Sequence, residues 1–273
     1  MVPGANGDAE PPQGAIAPED GVAQGEVHIT VRGLTMAYGS FVLMRDLSFD
    51  IRRRDIFFII GGSGSGKSTL LRHMLGLKAA AKGEIRINGE QVSAEPEEMR
   101  AMLQRVGVLY QSGALWSALT LRENISVPLE EFTELAPDEV EHVASLKLAL
   151  VGLAGFESYY PSEISGGMQK RAGLARAMAL DPEILFIDEP SAGLDPLSSR
   201  RLDDLILELR DSFGSTVVIV SHELPSIFGI GTNCVFLDAE TRTMIATGNP
   251  SQLRDHSDHP TVRQFLSRGE LNE

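Results

Sequence analysis

The sequence has almost no cysteine and no long apolar run, and both shortages exclude classes of protein. Its one cysteine, Cys234, cannot form an intramolecular disulfide, so the fold does not depend on a disulfide framework. The longest unbroken apolar run, glycine excluded, is the five residues 56–60, whereas a membrane-spanning helix needs about 20. The start of the chain also lacks the basic residues and apolar stretch of a signal peptide. We therefore expect a cytosolic chain that does not cross a bilayer by itself.

Basic residues are also in short supply, which bears on the choice of partner. The 24 Lys and Arg are outnumbered by 38 Asp and Glu, giving a formal net charge of -14. Because nucleic-acid binding needs clustered positive charge, we expect no nucleic-acid partner. Residues 1–25 hold four acids, four Pro and five Gly without Lys or Arg, and are predicted to be a disordered tail. Residues 130–141, with six acids and no base, are predicted to form a solvated helical face.

The arrangement of apolar runs indicates the fold class. The stretches VHITV, FVLM and LSFDI, and the Asn-Gly pair at 88–89 between EIRI and EQV, predict an antiparallel β layer with a hairpin. The strand-like runs IFFII, ILFI and TVVIV alternate with helical patterns, one of which places Leu70, Met74 and Leu77 on a common stripe. This alternation predicts an α/β fold with a mostly parallel sheet covered on both sides.

Helical patterns dominate between about residues 112 and 164, with predicted breaks at Pro128, Pro137 and Pro161. We interpret this stretch as a helical subdomain inserted into a domain of residues 26–250. Further helices are predicted at 165–180 and around 200–209. The polar residues 251–273 are predicted to form a C-terminal appendage.

Residues 61–68 carry the strongest chemical signal. They fit the pattern GxxxxGK[ST] and stand between a buried strand and a helix, the context that a phosphate-binding loop requires. Glycines let successive backbone N–H groups turn towards phosphates, and the next helix adds the positive end of its dipole. Lys67 supplies a charge for the β- and γ-phosphates, and Ser68 is left to hold Mg²⁺. The alternative is a glycine-rich turn that binds nothing, which this context disfavours.

A second buried strand, ILFI, ends in two acids, Asp188 and Glu189. Strands of a parallel sheet deliver their last side chains to the crevice where ligands bind, so Asp188 is expected to reach the metal shell. Glu189 is then placed to orient or deprotonate a water that attacks the γ-phosphate. Alone, such a pair is more often a solvated strand end, but together with the phosphate loop it predicts a nucleoside triphosphatase.

Residues 165–167 begin a predicted helix whose first turns carry Lys170, Arg171 and Arg176 and no acid. The serine hydroxyl, the exposed amides and the helix dipole would all favour an anion. A plain helix cap explains the same pattern, and by itself it is the more frequent explanation. Two polar residues follow predicted strands: Gln111 after VGVLY and His222 after TVVIV. Neither residue alone indicates a function, but their order along the chain relative to the other motifs does.

The phosphate loop, the glutamine, ISGGMQ, ILFIDE, SAGLD and the histidine stand in the order in which ABC ATPases carry them. Residues 27–250 therefore resemble the nucleotide-binding subunit of an ABC transporter. The resemblance implies a P-loop NTPase of the ABC ATPase type, with an antiparallel β layer and an inserted helical subdomain. The chain departs from the family signature at 164 and 168, where Ile and Met replace the usual Leu and Gln.

The resemblance also implies ATP and Mg²⁺ as ligands and gives roles to single residues. Tyr38 would stack on adenine, and Ser68, Gln111 and Asp188 would hold Mg²⁺. Glu189, His222 and Lys67 would be catalytic, with His222 touching the γ-phosphate. The remaining nucleotide-binding residues would be Gly61, Gly62, Ser63, Gly64, Ser65, Gly66, Thr69, Ser165, Gly166 and Gly167.

Partners follow from the same resemblance. In this family the signature of one subunit completes the phosphate site of the other, so a homodimer is expected and a monomer should be nearly inactive. Separate integral-membrane permease subunits would grip the chain near Gln111 and the helical insert, on the cytoplasmic side of the inner membrane. Leu115, Trp116 and Leu119 could form the apolar contact, although burial of Trp116 in the core is an equally weighted alternative.

Four stretches favour one branch of the family: QSGALW, the segment from PSEISGG to AGLDP, SHEL and HPTVRQFL. They resemble the ATPase of Mla-type phospholipid transporters, which implies a partner with an MCE domain. Lipopolysaccharide and amino-acid transport systems stay open as alternatives. A soluble ABC clamp acting on nucleic acid or ribosomes is disfavoured by the charge and by the single cassette. A scaffold that binds ATP without turnover is disfavoured by the presence of Lys67, Glu189 and His222.

Overall fold

The protein is described by a computed structural model that covers residues 25–267. The predicted disordered tail therefore lies outside the described residues, apart from Gly25. Two sheets form the framework of the described part, a smaller antiparallel sheet and a larger, mostly parallel one. No helix among residues 25–267 combines the length and the apolar character that crossing a bilayer would require.

The antiparallel sheet has the strand order β2-β1-β4-β5 and confirms the predicted β layer. Its strands are β1 (Val27–Tyr38), β2 (Phe41–Arg52), β4 (Lys82–Ile87) and β5 (Glu90–Gln91). The segments FVLM and LSFDI join in the single strand β2. Asn88 and Gly89 form the turn between β4 and β5, and both have positive φ, as a tight hairpin turn demands.

The larger sheet has the order β10-β9-β3-β8-β7-β6, and only β10 runs antiparallel to its neighbour. Its strands are β3 (Ile56–Gly61), β6 (Val106–Leu109), β7 (Ile184–Asp188), β8 (Thr216–Val220), β9 (Asn233–Asp238) and β10 (Thr243–Gly248). These strands alternate with helices along the chain, which confirms the predicted α/β fold. The carboxyl ends of β3, β6, β7 and β8 lie at one edge of the sheet.

Helices make up about half of the described residues outside the strands. They are α1 (Lys67–Met74), α2 (Pro96–Leu103), α3 (Leu121–Phe132), α4 (Pro137–Leu150), α5 (Gly166–Ala177), α6 (Pro196–Phe213), α7 (Leu224–Ile230), α8 (Pro250–His256) and α9 (Pro260–Leu266). The stretch 112–164 holds α3, α4 and a short 3-10 helix, Pro161–Glu163. The division into domains and subdomains stays a prediction.

Strand β3 is buried on both faces and separates two apolar clusters. Ile56, Phe58 and Ile60 pack into the cluster that contains residues of α3, α4, α5 and α6. Phe57 and Ile59 face the other cluster, which the antiparallel sheet and α1 share. This double burial explains why the sequence of β3 is a continuous apolar run and not an alternating one. The two clusters fix the strand from which the candidate phosphate loop begins.

Two details of the predicted helices were wrong. Pro128 lies inside α3 and does not end it. A proline removes one helical hydrogen bond, but burial of Leu121, Ile125 and Leu129 holds the helix together around it. Leu77 was expected on the buried stripe of α1, but that helix ends at Met74 and Leu77 is exposed.

The C-terminal segment packs closely against the larger sheet. Leu253 of α8 and Val262 and Leu266 of α9 are buried in the same apolar cluster as Phe236 of β9. Phe265 also meets Phe236 edge-on, with ring centroids 5.2 Å apart. Residues 250–266 are therefore packed on the core of the chain and not set apart from it.

We predict that Gly107→Ala destabilises the fold. Gly107 lies in β6, and a Cβ atom at this position would overlap the carbonyl oxygen of Ala177 at the end of α5. Such overpacking costs about 1–3 kcal/mol. Chemical denaturation followed by circular dichroism measures the difference. Gly229→Ala in α7 is the control, because its Cβ would enter open space, and wild-type stability in Gly107→Ala would contradict the close approach of α5 to β6.

Candidate active site

A cleft of about 810 Å³ opens where the strands of the larger sheet end. It brings together residues that are far apart in the sequence, because β3, β6, β7 and β8 present their carboxyl ends at the same edge. Of the predicted site residues, those lining it are Tyr38, Gly61, Gly62, Ser63, Gly64, Gly66, Lys67, Ser68, Thr69, Gln111, Glu189 and His222. Most of the predicted site residues therefore lie together in this cleft.

The loop between β3 and α1 has the backbone geometry of an anion cradle. Gly61, Gly64 and Gly66 have φ values of 146°, 75° and 83°, a region that favours glycine. A Cβ atom on Gly61 would also overlap the carbonyl oxygen of Leu237 in β9. Gly66 caps the start of α1, so the positive end of that helix faces the loop. The glycines are therefore required both by conformation and by packing.

Lys67 is held inside this loop. Its Nζ donates to the carbonyl oxygens of Gly61 and Gly62, each at 3.0 Å. Burial lowers the pKa of Lys67, while the carboxylates of Glu189 and Asp188 act in the opposite direction. The ammonium group is thus held by the backbone of the loop, close enough to the two acids for their charges to oppose the effect of burial.

Ser68 and Asp188 meet across the loop. The Ser68 hydroxyl donates to Asp188 Oδ1 at 3.3 Å. Burial raises the pKa of Asp188, and the hydrogen bond from Ser68 opposes that shift. Two oxygen donors side by side are suited to a hard cation such as Mg²⁺, which usually takes one or two protein oxygens and completes its shell with phosphates and water.

Glu189 occupies a strained position directly after β7. Its φ is 48°, which is uncommon for a residue with a side chain, and its N–H donates to the Val220 carbonyl of β8 at 2.8 Å. Glu189 Oε1 lies 2.9 Å from Nδ1 of His222. Its other oxygen, Oε2, is buried and has no hydrogen-bond donor among residues 25–267. One carboxylate oxygen is thus oriented by the histidine and the other is left to accept a proton.

Tyr38 stands at the outer wall of the cleft. Its ring is 51% exposed, and its hydroxyl lies 3.3 Å from Thr69 Oγ1. Lys78 Nζ lies 2.9 Å from the ring centroid and covers one face of the ring. Any base that stacks on Tyr38 would therefore use the opposite face.

The signature residues 165–167 do not line this cleft. Ser165 caps α5 and accepts from the N–H of Met168 at 3.3 Å, and Ser165 and Gly166 are exposed. The sequence left two explanations open at this helix start, an anion site and a plain helix cap; Ser165 forms the cap contact, and the anion site stays a prediction. The basic residues of α5 have other partners. Lys170, Arg171 and Arg176 donate instead to backbone carbonyl oxygens of residues 111, 151 and 114. They are used inside the chain because neighbouring loops pack directly on α5.

Three apolar residues of the cleft were missed in the sequence: Leu43, Leu224 and Phe265. They come from β2, α7 and α9, and although Leu224 and Phe265 lie in the quoted stretches SHEL and HPTVRQFL, neither was assigned to the site. An apolar residue in a strand or helix carries no signal that separates a core position from a cleft wall. Lys78 was missed for a similar reason, since only the fold brings it to Tyr38.

A larger cavity, about 1220 Å³, lies between α2 and the β4–β5 hairpin. It contains none of the predicted site residues. Two of its basic side chains are already paired, Arg86 with Glu84 at 2.9 Å and Arg105 with Glu183 at 3.1 Å. Nothing in its lining matches the chemistry of the smaller cleft.

The structure settles the position of Trp116. Its side chain is 52% exposed and therefore is not a core residue. Its backbone is fixed, because its N–H donates to Asn124 Oδ1 at 2.7 Å and its carbonyl accepts from Asn124 Nδ2 at 3.1 Å. Asn124 is fully buried in α3. The indole is thus presented at the surface by a rigid backbone, while Leu115 packs partly against the core.

Comparison with known protein families identifies this architecture. The family model described as "ABC transporter" matches residues 44–192, more than half of the chain. The chain belongs to the ABC transporter family. It is therefore an ABC ATPase, an enzyme that binds and hydrolyses ATP.

Two curated relatives are similar over most of this ABC ATPase. A probable ribonucleotide transport ATP-binding protein of Mycobacterium leprae is 38% identical over 242 residues, which cover 88% of this chain and 69% of the relative. The intermembrane phospholipid transport system ATP-binding protein MlaF of Escherichia coli is 37% identical over 239 residues, covering 87% of this chain and 88% of MlaF.

Solved structures agree on the fold. A cassette from Clostridium perfringens, part of an ABC transporter complex, superposes with a TM-score of 0.78 at 23% identity, covering 85% of this chain and 92% of that one. The dimeric structure of a bacterial ABC transporter cassette gives a TM-score of 0.74 at 26% identity, covering 81% and 98%. The same cassette type has been solved as a dimer in a post-hydrolysis state with ADP and Pi.

Proposed function

We propose that this ABC ATPase powers the transport of phospholipids, or related hydrophobic solutes, across the bacterial envelope through separate membrane subunits. The observation that carries the ATPase part is the geometry of Glu189, whose two carboxylate oxygens are differently placed at the end of the phosphate cleft. The observation that favours lipid is the match to MlaF over nearly the whole length of both chains.

The residues of the phosphate loop would bind ATP. Its N–H groups and the start of α1 would surround the β- and γ-phosphates, and Lys67 would exchange its two carbonyl acceptors for phosphate oxygens. The free face of Tyr38 would stack on adenine. Ser65 supports the loop from below, since it is fully buried beside Gly61.

Ser68 and Asp188 fit the magnesium ion that ABC ATPases use, because their side-chain oxygens lie 3.3 Å apart. Gln111 also lines the cleft and could add its side-chain oxygen. When bound, Mg²⁺ neutralises charge that develops on the phosphates during transfer.

Glu189 would act as the general base. Its Oε2 would accept a proton from the attacking water, while Oε1 stays bonded to His222 and keeps the carboxylate in place. His222 is exposed at the mouth of the cleft and could reach the γ-phosphate with its other ring nitrogen. Glu189 lines the cleft, and its uncommon backbone conformation would help to hold the carboxylate there.

Removing the base should separate binding from turnover. Glu189→Gln keeps the size and the contact to His222 but loses the carboxylate, so we predict retained ATP affinity and a fall in kcat of roughly 10²-fold or more. Steady-state ATPase assays and a nucleotide titration measure the two effects. Glu223→Gln, a nearby exposed carboxylate 3.7 Å from the same histidine, is the control and should keep near wild-type turnover. Normal hydrolysis by Glu189→Gln would exclude Glu189 as the base.

The exposed start of α5 supports a homodimer. Ser165 and Gly166 are accessible and stand outside the chain's own cleft, so they could reach the phosphates only in another subunit. Asp195, which caps α6, lies in the exposed loop before that helix. Two copies would then complete two composite ATP sites.

Mixing two inactive variants tests this arrangement. We predict that Ser165→Arg, which places a bulky cation at the signature, binds ATP but hydrolyses it very slowly, and that Lys67→Ala is inactive through its loop. A heterodimer of the two has one intact composite site, so the mixture should be more active than either variant alone. Ser251→Arg, on the exposed start of α8, is the control. Full activity of Ser165→Arg alone would refute the shared site.

The segment around Trp116 is the proposed contact with an integral-membrane permease. It offers an exposed indole on a rigid backbone beside Gln111, which lines the ATP cleft. This would place the chain at the cytoplasmic face of the inner membrane. An MCE-domain protein is the further partner that the Mla-type resemblance favours.

A second solute class has its own support, since the mycobacterial relative carries a ribonucleotide-transport name at similar identity. That relative is matched over 69% of its length, compared with 88% for MlaF. The larger matched share of MlaF favours the phospholipid system. The experiment below distinguishes phospholipid from ribonucleotide as the transported solute.

We predict that Trp116→Glu weakens binding to the permease and leaves ATP binding intact, because burying an unpaired carboxylate in an apolar contact is costly. The chain is expressed with its membrane partners and purified in detergent, and the recovered permease is identified by mass spectrometry. Leu77→Glu, at an equally exposed position after α1, is the matched control.

ATPase activity of the same complex is then measured with phospholipid or with ribonucleotides added, together with lipid transfer between vesicles. We expect stimulation and transfer with phospholipid. A response to ribonucleotides alone would overturn the lipid assignment but not the ATPase.

A further inference from the structure

Lys170 is a buried cation for which neither the ATP site nor the signature gives a role. It lies on α5, one turn after the signature, and is only 6% exposed. Lysine is rarely buried unless its charge has partners, because an ammonium ion loses hydration inside a protein. Burial lowers the pKa of Lys170, while the nearby carboxylates of Glu189 and Asp188 act in the opposite direction.

The Lys170 ammonium joins two loops of the cleft. Its Nζ donates to the carbonyl oxygen of Gln111 and lies 3.4 Å from the carbonyl oxygen of Glu189. Both acceptors are backbone atoms, so the lysine contacts the path of the chain at these residues. Gln111 and Glu189 follow the neighbouring strands β6 and β7 and have no backbone bond to each other in the described part of the chain.

The glutamine loop rests on α5 over more than one turn. Arg176 donates to the carbonyl of Ala114 at 2.7 Å. A Cβ atom on Gly173, between the two basic residues, would lie 2.9 Å from the carbonyl oxygen of Gly113. Gly113 and Ala114 both have positive φ. The glutamine loop therefore adopts an uncommon backbone conformation against one face of α5. Lys170 donates to the carbonyl of Gln111, at the start of that loop.

The backbone at Glu189 also has an uncommon conformation. Its φ is 48°, and its carbonyl accepts from the N–H of Ala192 at 3.3 Å as well as from Lys170. An uncommon backbone conformation persists only where its surroundings hold it. Lys170 contacts both this carbonyl and the carbonyl of Gln111 in the glutamine loop.

We propose that Lys170 is a positioning residue that links the backbone of the glutamine loop to that of Glu189, so that the two loops adopt their working conformations together. The proposal rests on the proposed role of Glu189 as the base. It adds a mechanical connection: a partner that moves the segment after Gln111 would alter the aim of the carboxylate through this ammonium group.

The test compares three variants of the full-length chain. Lys170→Met removes the donors with little change in size, Lys170→Arg keeps a buried cation with donors, and Lys82→Met changes an exposed lysine as control. We expect kcat to fall about 10- to 100-fold in Lys170→Met, because small displacements of a catalytic group have effects of this size. The KM for ATP and the nucleotide affinity should change less than about twofold, and Lys170→Arg should recover most of kcat.

A double-mutant cycle separates positioning from a general loss of structure. If Lys170 acts through the Glu189 carboxylate, Lys170→Met should slow a Glu189→Gln enzyme by less than about twofold. The same measurements are made on Lys170→Gln, which replaces Lys170→Met in the cycle if the methionine variant is unstable.

Three results would overturn the proposal: wild-type kcat in Lys170→Met, an equal loss in Lys170→Arg, or an additive loss in the cycle. Normal hydrolysis by Glu189→Gln would instead refute the assigned base. A normal Lys170→Met beside an inactive Glu189→Gln would refute the positioning role alone.

Discussion

The burial of β3 on both faces is the constraint on which the site depends. Its apolar run belongs to two clusters at once, so the strand has no freedom to shift, and the phosphate loop begins from a fixed point. At that point Gly61 passes so close to the carbonyl of Leu237 that no side chain fits. A loop that binds phosphates through its backbone needs this accuracy, because its N–H groups cannot adjust one by one as side chains can.

The parallel sheet then brings the other groups to the same edge. Each of β3, β6, β7 and β8 ends near the cleft, and the residue types that follow them are the ones that phosphate chemistry uses. Helix α5 packs against the glutamine loop near this edge, and its residues Lys170 and Arg176 donate hydrogen bonds to carbonyls of that loop. The same helix therefore exposes its first turn and packs its buried face against the loops that follow β6 and β7.

Much of this arrangement was predictable from local patterns. The phosphate loop, the acid pair after β7 and the presence of an antiparallel and a mostly parallel sheet follow from short segments whose chemistry and neighbours agree. Errors arose where a residue's effect depends on distant partners. Pro128 does not end its helix because burial of the surrounding leucine and isoleucine residues compensates for one lost hydrogen bond. The sequence also does not show that the basic residues of α5 donate to the loops that cover this helix.

The sequence by itself determined the chemical class, since the residue types and their spacing predict a phosphate loop, a metal-binding acid and a general base. Only the tertiary structure decided how these groups act on one another: that one oxygen of Glu189 bonds His222 while the other is buried without a donor, that Lys78 covers one face of Tyr38, and that Trp116 is exposed. The physical reason is that residue type fixes what a group can donate, accept or bury, whereas contacts between distant segments are set by how the two sheets and α5 pack together.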